Sequence, residues 1–222
     1  MFFGFLPYFT EVSDVELDLK LWKNVSRYNR QNIRYQFIVD VCRYLYEQLL
    51  FDESSTSQMT KELQDEQRLS SLYEKFIYAF FKRDTNYFVS RPQIQWNVDD
   101  EFTDALPVMQ TDIVLQQGNK TLIVDAKFYS ENMVARFEGG ASKQKSSNLY
   151  QIFTYINNWE KGPNEIVGGM LLYARTTALT QPNHTYNMKG NQIFVLSLDL
   201  NQDFNRIKED LIAYARQFFD GD

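Results

Sequence analysis

Apolar residues at Ile33, Phe37, Ile38, Val41, Cys42, Leu45 and Leu49 recur close to the 3.6-residue period, so residues 11–50 are expected to form two helices, the second carrying this stripe. Residues 52–67, "DESSTSQMTKELQDEQ", are polar and poor in large apolar side chains, which predicts a mobile connection. A further helix is expected at about 69–83, "LSSLYEKFIYAFFKR". After Arg91-Pro92 the pattern turns strand-like: "QIQW" (93–96), "MQTDIVLQ" (109–116) and "KTLIVDAKFY" (120–129), the last two joined through Gly118-Asn119 as a hairpin. A polar loop at 130–145 precedes a helix at 147–159, strands at 166–174 and 192–200, and a closing helix at 202–219.

This order is that of an α/β fold, a sheet flanked by helices, preceded by a helical N-terminal segment. The division expected is 1–67 for that segment and its polar connection and 68–222 for the main domain, without internal repeats. No apolar stretch reaches the roughly 18 residues of a membrane span, and "MFFGFLPYF" lacks the basic region and cleavage site of a signal peptide, so a cytoplasmic protein with no membrane partner is expected.

Composition narrows the chemistry. A single cysteine, Cys42, excludes an internal disulfide and a multi-cysteine zinc site; its place on the helical stripe suggests a core residue. The lone His184, read as a loop residue, excludes a histidine cluster, and a Ser-His-Asp triad unless His184 itself serves. Any metal must then be held by oxygen. The net charge of −6 opposes a polyanion, so action on nucleic acid requires a local basic patch or delivery by a partner.

The candidate chemistry lies in "TLIVDAKFY". Side chains alternate along a strand, placing Asp125 and Lys127 on one face with Thr121 and Ile123, and Leu122, Val124 and Ala126 on the other. Buried charges need a partner or a metal. Asp112, thirteen positions earlier (125 − 112), stands in the partner strand of the hairpin and could join Asp125 at one end of the sheet. Two carboxylates of this kind suit Mg²⁺, which keeps water and substrate phosphate as its other ligands. With Lys127 to position water or stabilise charge on phosphorus, this is the chemistry of phosphodiester hydrolysis.

"TDIVL" followed by "IVDAK" resembles the PD-(D/E)xK nuclease signature, with Thr111 in place of the nominal proline. Gln151 and Tyr155 in "LYQIFTY" resemble the Q-x-x-x-Y motif of the RecB and lambda-exonuclease branch, and at i and i+4 they share one helix face. Glu74 in "SLYEKFIYAF" falls where that branch often carries an acid. Taken in order, "LYEKFIYAF", "TDIVL", "LIVDAKFY", "NLYQIFTYI" and "GGMLLY" resemble the McrC family, nuclease subunits of McrBC modification-dependent restriction systems, over residues 30–218.

The resemblance implies a restriction-endonuclease-like core within 68–222 and a Mg²⁺-dependent endonuclease, Mn²⁺ substituting, that cuts methylcytosine-containing double-stranded DNA with a McrB-like AAA+ GTPase. It implies Asp112, Asp125 and the Ala126 main-chain carbonyl as metal ligands, Lys127 as the catalytic lysine, and Glu74, Gln151 and Tyr155 as auxiliary catalytic groups, Glu74 also on the metal side. GTP belongs to the partner, since no G-x-x-x-x-G-K-[ST] loop occurs. Most of the family's N-terminal region that engages the GTPase ring has no counterpart here, which leads to the expectation of a truncated subunit, an isolated nuclease domain or half of a split protein.

For DNA contact, Lys143 and Lys145 in the loop after the active strand can reach phosphates near the metal. Arg27, Arg30 and Arg34, interleaved with Tyr28 and Tyr35, form either a second patch or an ordinary helix surface. Two other readings stay open: a stand-alone RecB-like exonuclease or repair nuclease, and an assembly module whose nuclease is latent without its motor.

Overall fold

The structure is a computed structural model that describes residues 58–100, 102–129, 133–134 and 143–221, with the isolated positions 22, 39, 42 and 43. The chain divides into two compact units, Met1–Ser57 and Gln58–Asp222. In the first, Trp22, Val39, Cys42 and Arg43 are helical, and Cys42 is exposed. Helical spacing defines a face; it does not guarantee that anything covers it. Arg27, Arg30 and Arg34 lie outside the described residues.

The second unit opens with helix α1 (Gln58–Asp84). It starts well before the expected residue 69 because "QMTKELQDEQ", although polar, is built of good helix formers. Strands β1 (Phe88–Ser90), β2 (Gln93–Ile94), β3 (Met109–Gln110), β4 (Ile113–Gln117) and β5 (Lys120–Lys127) follow. A small ribbon pairs β6 (Met133–Val134) with β7 (Lys143–Gln144) where a loop was expected. Then come helix α2 (Ser146–Asn158), strands β8 (Ile166–Ala174), β9 (His184–Met188) and β10 (Asn191–Leu198), and helix α3 (Phe204–Phe219).

Six strands form one mixed sheet in the order β1-β4-β5-β8-β10-β9. β4 and β5 make the expected antiparallel hairpin, with Gly118 at φ 60° in its two-residue turn, a conformation that glycine adopts without a Cβ clash. β5, β8 and β10 run parallel, so α2 is the crossover between β5 and β8. His184 begins β9, an edge strand that its polar composition concealed. The strand expected at 109–116 is split: β3 pairs with β2, β4 with β5, and the chain leaves the ladder at Thr111-Asp112. There the buried Thr111 donates its N–H (3.3 Å) and hydroxyl (2.7 Å) to the Pro92 carbonyl.

Each sheet face has its own core. Leu122, Val124 and Ala126 of β5 pack with Tyr73, Ile77, Phe80 and Phe81 of α1 and with Leu211 and Phe218 of α3. Ile123, Leu171 and Tyr173 pack with Ile152, Tyr155 and Ile156 of α2. Two adjacent glycines let both layers approach β8: a Cβ on Gly168 would lie 2.5 Å from the Phe218 ring, and one on Gly169 would lie 2.6 Å from Ile152 Cγ1. Among the described residues no helix is long and apolar enough to cross a membrane.

Candidate active site

The site forms at the C-terminal end of β5, beyond the point where β4 pairs with it. Ile113 and Val124 are partners in the ladder, and extending that register by one residue sets Asp112 opposite Asp125. Because β4 begins only at Ile113, the Ala126 N–H has no ladder acceptor there; Asp112 Oδ2 takes its place at 2.9 Å. Asp125 is 1% exposed, and the Lys127 ammonium approaches its Oδ2 to 2.8 Å. That oxygen is buried without an aligned hydrogen-bond donor.

Lys127 is in turn held by α2. Its ammonium donates to Gln151 Oε1 (3.0 Å), Gln151 Nε2 donates to the Tyr155 hydroxyl (2.9 Å), and that hydroxyl donates to the Gln110 carbonyl (3.1 Å). One face of α2 thus links the lysine to the main chain two residues before Asp112. Both ends of the Gln151 amide are engaged.

Glu74 reaches the site from α1, half-buried, with Ser70 Oγ at 3.5 Å and the Arg91 guanidinium at 3.7 Å. Arg91, between β1 and β2, also lies 5.5 Å from the Tyr78 ring centroid. Nothing local in "VSRPQ" marks Arg91 as a site residue; only the fold brings it to Glu74. Lys145, the residue before α2, stacks its ammonium 3.7 Å from the Tyr129 ring centroid, while Lys143 on β7 is exposed.

The electrostatics are those of carboxylates crowded out of water. Burial pushes Asp125 up to about 7, with Lys127 opposing and Asp112 adding to the rise. Asp112 is raised by burial against the Ala126 N–H, Lys127 and Arg91; Glu74 is raised by burial and then by Asp112. Burial alone would lower Lys127, but the Asp125 carboxylate 2.8 Å away holds the ammonium above its ordinary value.

An acid whose pKa is raised on folding binds its proton more tightly in the native state, so stability is present below the unfolded value and lost as pH rises to the folded one. The metal-free wild type is therefore expected to lose stability relative to Asp125→Asn between about pH 4 and pH 7, on the order of 2 to 4 kcal/mol. Lys127, raised above its ordinary value, does not titrate in that window. Urea melts of both proteins at several pH values measure the difference; parallel stability curves across this range would remove burial as the cause.

The donor set fits a hard divalent cation. Asp112 and Asp125 offer carboxylate oxygens, one of them buried and lacking a hydrogen bond. Among the described residues no three His, Cys, Asp or Glu side chains converge as a complete cage. Mg²⁺ does not require one, since it commonly takes one or two carboxylates and completes its shell with water and phosphate.

A family model described as "McrBC 5-methylcytosine restriction system component" matches residues 4–174, a span that includes Glu74, Asp112, Asp125, Lys127, Gln151 and Tyr155. The type IV methyl-directed restriction enzyme EcoKMcrBC of Escherichia coli (strain K12) is 30% identical over 183 residues, covering 80% of this chain and 51% of that protein. The chain spans about half the length of this curated relative.

Proposed function

The chain belongs to the McrBC 5-methylcytosine restriction system component family, and from that premise we propose that it is the DNA-cleaving subunit of a type IV restriction system, with a PD-(D/E)xK nuclease core. The observation that carries this reading is the Asp112 carboxylate locked by the Ala126 N–H beside the buried Asp125–Lys127 pair.

Asp112 and Asp125 would hold Mg²⁺ or Mn²⁺, with Glu74 on the same side. The N–H and C=O of one residue leave a strand toward the same neighbour, so the Ala126 carbonyl is aimed at the Asp112 edge and is a further donor. The ion, when bound, polarises the scissile phosphate and acidifies water. Lys127 stabilises charge developing on the phosphate, and Gln151 with Tyr155 fixes where its ammonium points. Lys143 and Lys145 offer contacts to the DNA backbone. Recognition of modified cytosine and GTP hydrolysis fall to a McrB-like partner.

Partner dependence follows from charge. With a net charge of −6, the lone chain is expected to bind unmodified duplex weakly at physiological salt, with a Kd above about 10⁻⁶ M. A fluorescence titration measures this; tight, salt-sensitive binding of the lone chain would exclude delivery by a partner. The function itself is tested on methylated plasmid with Mg²⁺ or Mn²⁺, with and without a McrB-like GTPase and GTP. Linearisation of closed circles that requires the partner supports the reading. Degradation only of DNA with free ends makes the chain an exonuclease, and no cleavage under any condition overturns the proposal.

A further inference from the structure

The amino-terminal turn of α2 carries an asparagine that the nuclease motifs do not use. Asn148 is 4% exposed, inside an otherwise apolar layer. Its Nδ2 donates to the hydroxyl of the fully buried Tyr173 at 2.9 Å, and its Oδ1 accepts the longer contact of the Tyr129 hydroxyl at 3.4 Å. Both tyrosines flank the lysine. Tyr173 is the Cα partner of Lys127 across the parallel β5–β8 pair, and Tyr129 follows Lys127 by two residues.

Asn148, Gln151 and Tyr155 stand at i, i+3 and i+7, one face of the helix. Each is bonded to a different part of the site: Asn148 to β8, Gln151 to Lys127 of β5, and Tyr155 to the Gln110 carbonyl ahead of Asp112. Packing of Ile152 and Ile156 over Gly169 sets how close α2 lies, but apolar contact is non-directional and does not resist a small slide or rotation of the helix. Directional bonds do. Gln151 sits less than one turn beyond Asn148, so loss of that anchor shifts the amide that holds the ammonium.

We infer that Asn148 is a positioning residue for cleavage, locking α2 to β8 through Tyr173 so that Gln151 holds Lys127 in its reacting orientation. The inference rests on the nuclease reading above. It also extends the recognisable pattern to N-x-x-Q-x-x-x-Y, from residue 148 to residue 155.

The test uses the full chain with Asn148→Ala, Tyr173→Phe and the double variant. Tyr173→Phe keeps the ring and so keeps the packing should Asn148→Ala fail to fold. Single-turnover cleavage in Mn²⁺, with the delivering partner present, is expected to slow about 10-fold or more in each single variant, as misplacement by fractions of an ångström does. The double variant should be no slower than the worse single one, since both remove one interaction. Mn²⁺ affinity by calorimetry should stay within about twofold, because the carboxylates are untouched. In ¹H–¹⁵N spectra the Gln151 side-chain amide should lose exchange protection. Wild-type rates per folded molecule, with unchanged Gln151 amide signals and only a lowered Tm, would make Asn148 a packing residue and overturn the inference. Should the wild type cleave nothing, the nuclease reading fails by itself; the Gln151 amide signals need no substrate and still decide whether Asn148 sets that side chain.

Discussion

Asp125→Ala is expected to reduce metal-dependent cleavage by about 10³-fold or more, on the order of 4 kcal/mol in activation free energy, without unfolding the domain. Two properties of the residue lead to this result. As a buried oxygen donor, it would be a ligand whose loss should remove the ion; as a carboxylate raised by burial and by Asp112, it opposes folding at neutral pH in the metal-free state. Activity and stability should therefore move apart. At pH 8 without metal the variant should melt at or slightly above the wild-type temperature, with the Lys127 ammonium, left without its counter-ion, offsetting part of the gain. Addition of Mg²⁺ should raise the Tm of the wild type, because a ligand that binds only the native state stabilises it, and should leave the variant unchanged. Cleavage by the variant at the wild-type rate and matched concentration would eliminate the active-site assignment.

Lys127→Met is the second large effect. The bland alternative is that Lys127 merely neutralises Asp125, whose Oδ2 lies 2.8 Å from its ammonium. Methionine keeps much of the side chain's length and its apolar stem while removing the charge. If the ammonium stabilises charge forming on the phosphate, the variant should lose about 10²-fold in single-turnover rate, roughly 3 kcal/mol, while Mn²⁺ affinity stays nearly intact. The Gln151 bond fits this role: a second, directional acceptor at 3.0 Å, itself fixed through Tyr155 to the Gln110 carbonyl, sets where the ammonium points. Loss of a structural ion pair alone would instead lower thermal stability. A variant that cleaves within a few-fold of wild type, with only its melting temperature reduced, would return Lys127 to the scaffold.

Much of the scaffold was legible because its signals are local. Alternation over 120–127 set which face of β5 carries Asp125 and Lys127, and Gly118-Asn119 closed the hairpin whose register brings Asp112 across from Asp125. The 3.6-residue pattern located α2 and α3 to within about two residues, and i, i+4 spacing put Gln151 and Tyr155 on one face. These properties follow from backbone geometry and from which side chains avoid water, and neither requires knowledge of distant residues.

The remaining features depend on partners far apart in the chain. The break at Thr111-Asp112 exists because Pro92, nineteen positions earlier, takes over the Thr111 donors; the polar Gln110-Thr111-Asp112 run within "MQTDIVLQ" gives no sign of that distant partner. Arg91 meets Glu74 because β1 and α1 pack at the same end of the sheet, and Asn148 is a buried anchor because Tyr173 stands beneath it on β8. Edge strand β9 was hidden for the complementary reason: with one side in solvent it needs little apolar character, and pairing with β10, five residues in register, defines it. Periodicity in one chain records exposure to water and so reveals elements and faces. The directional bonds that aim Lys127 link four separate segments, and a hydrogen bond between distant segments leaves no periodic trace in either of them.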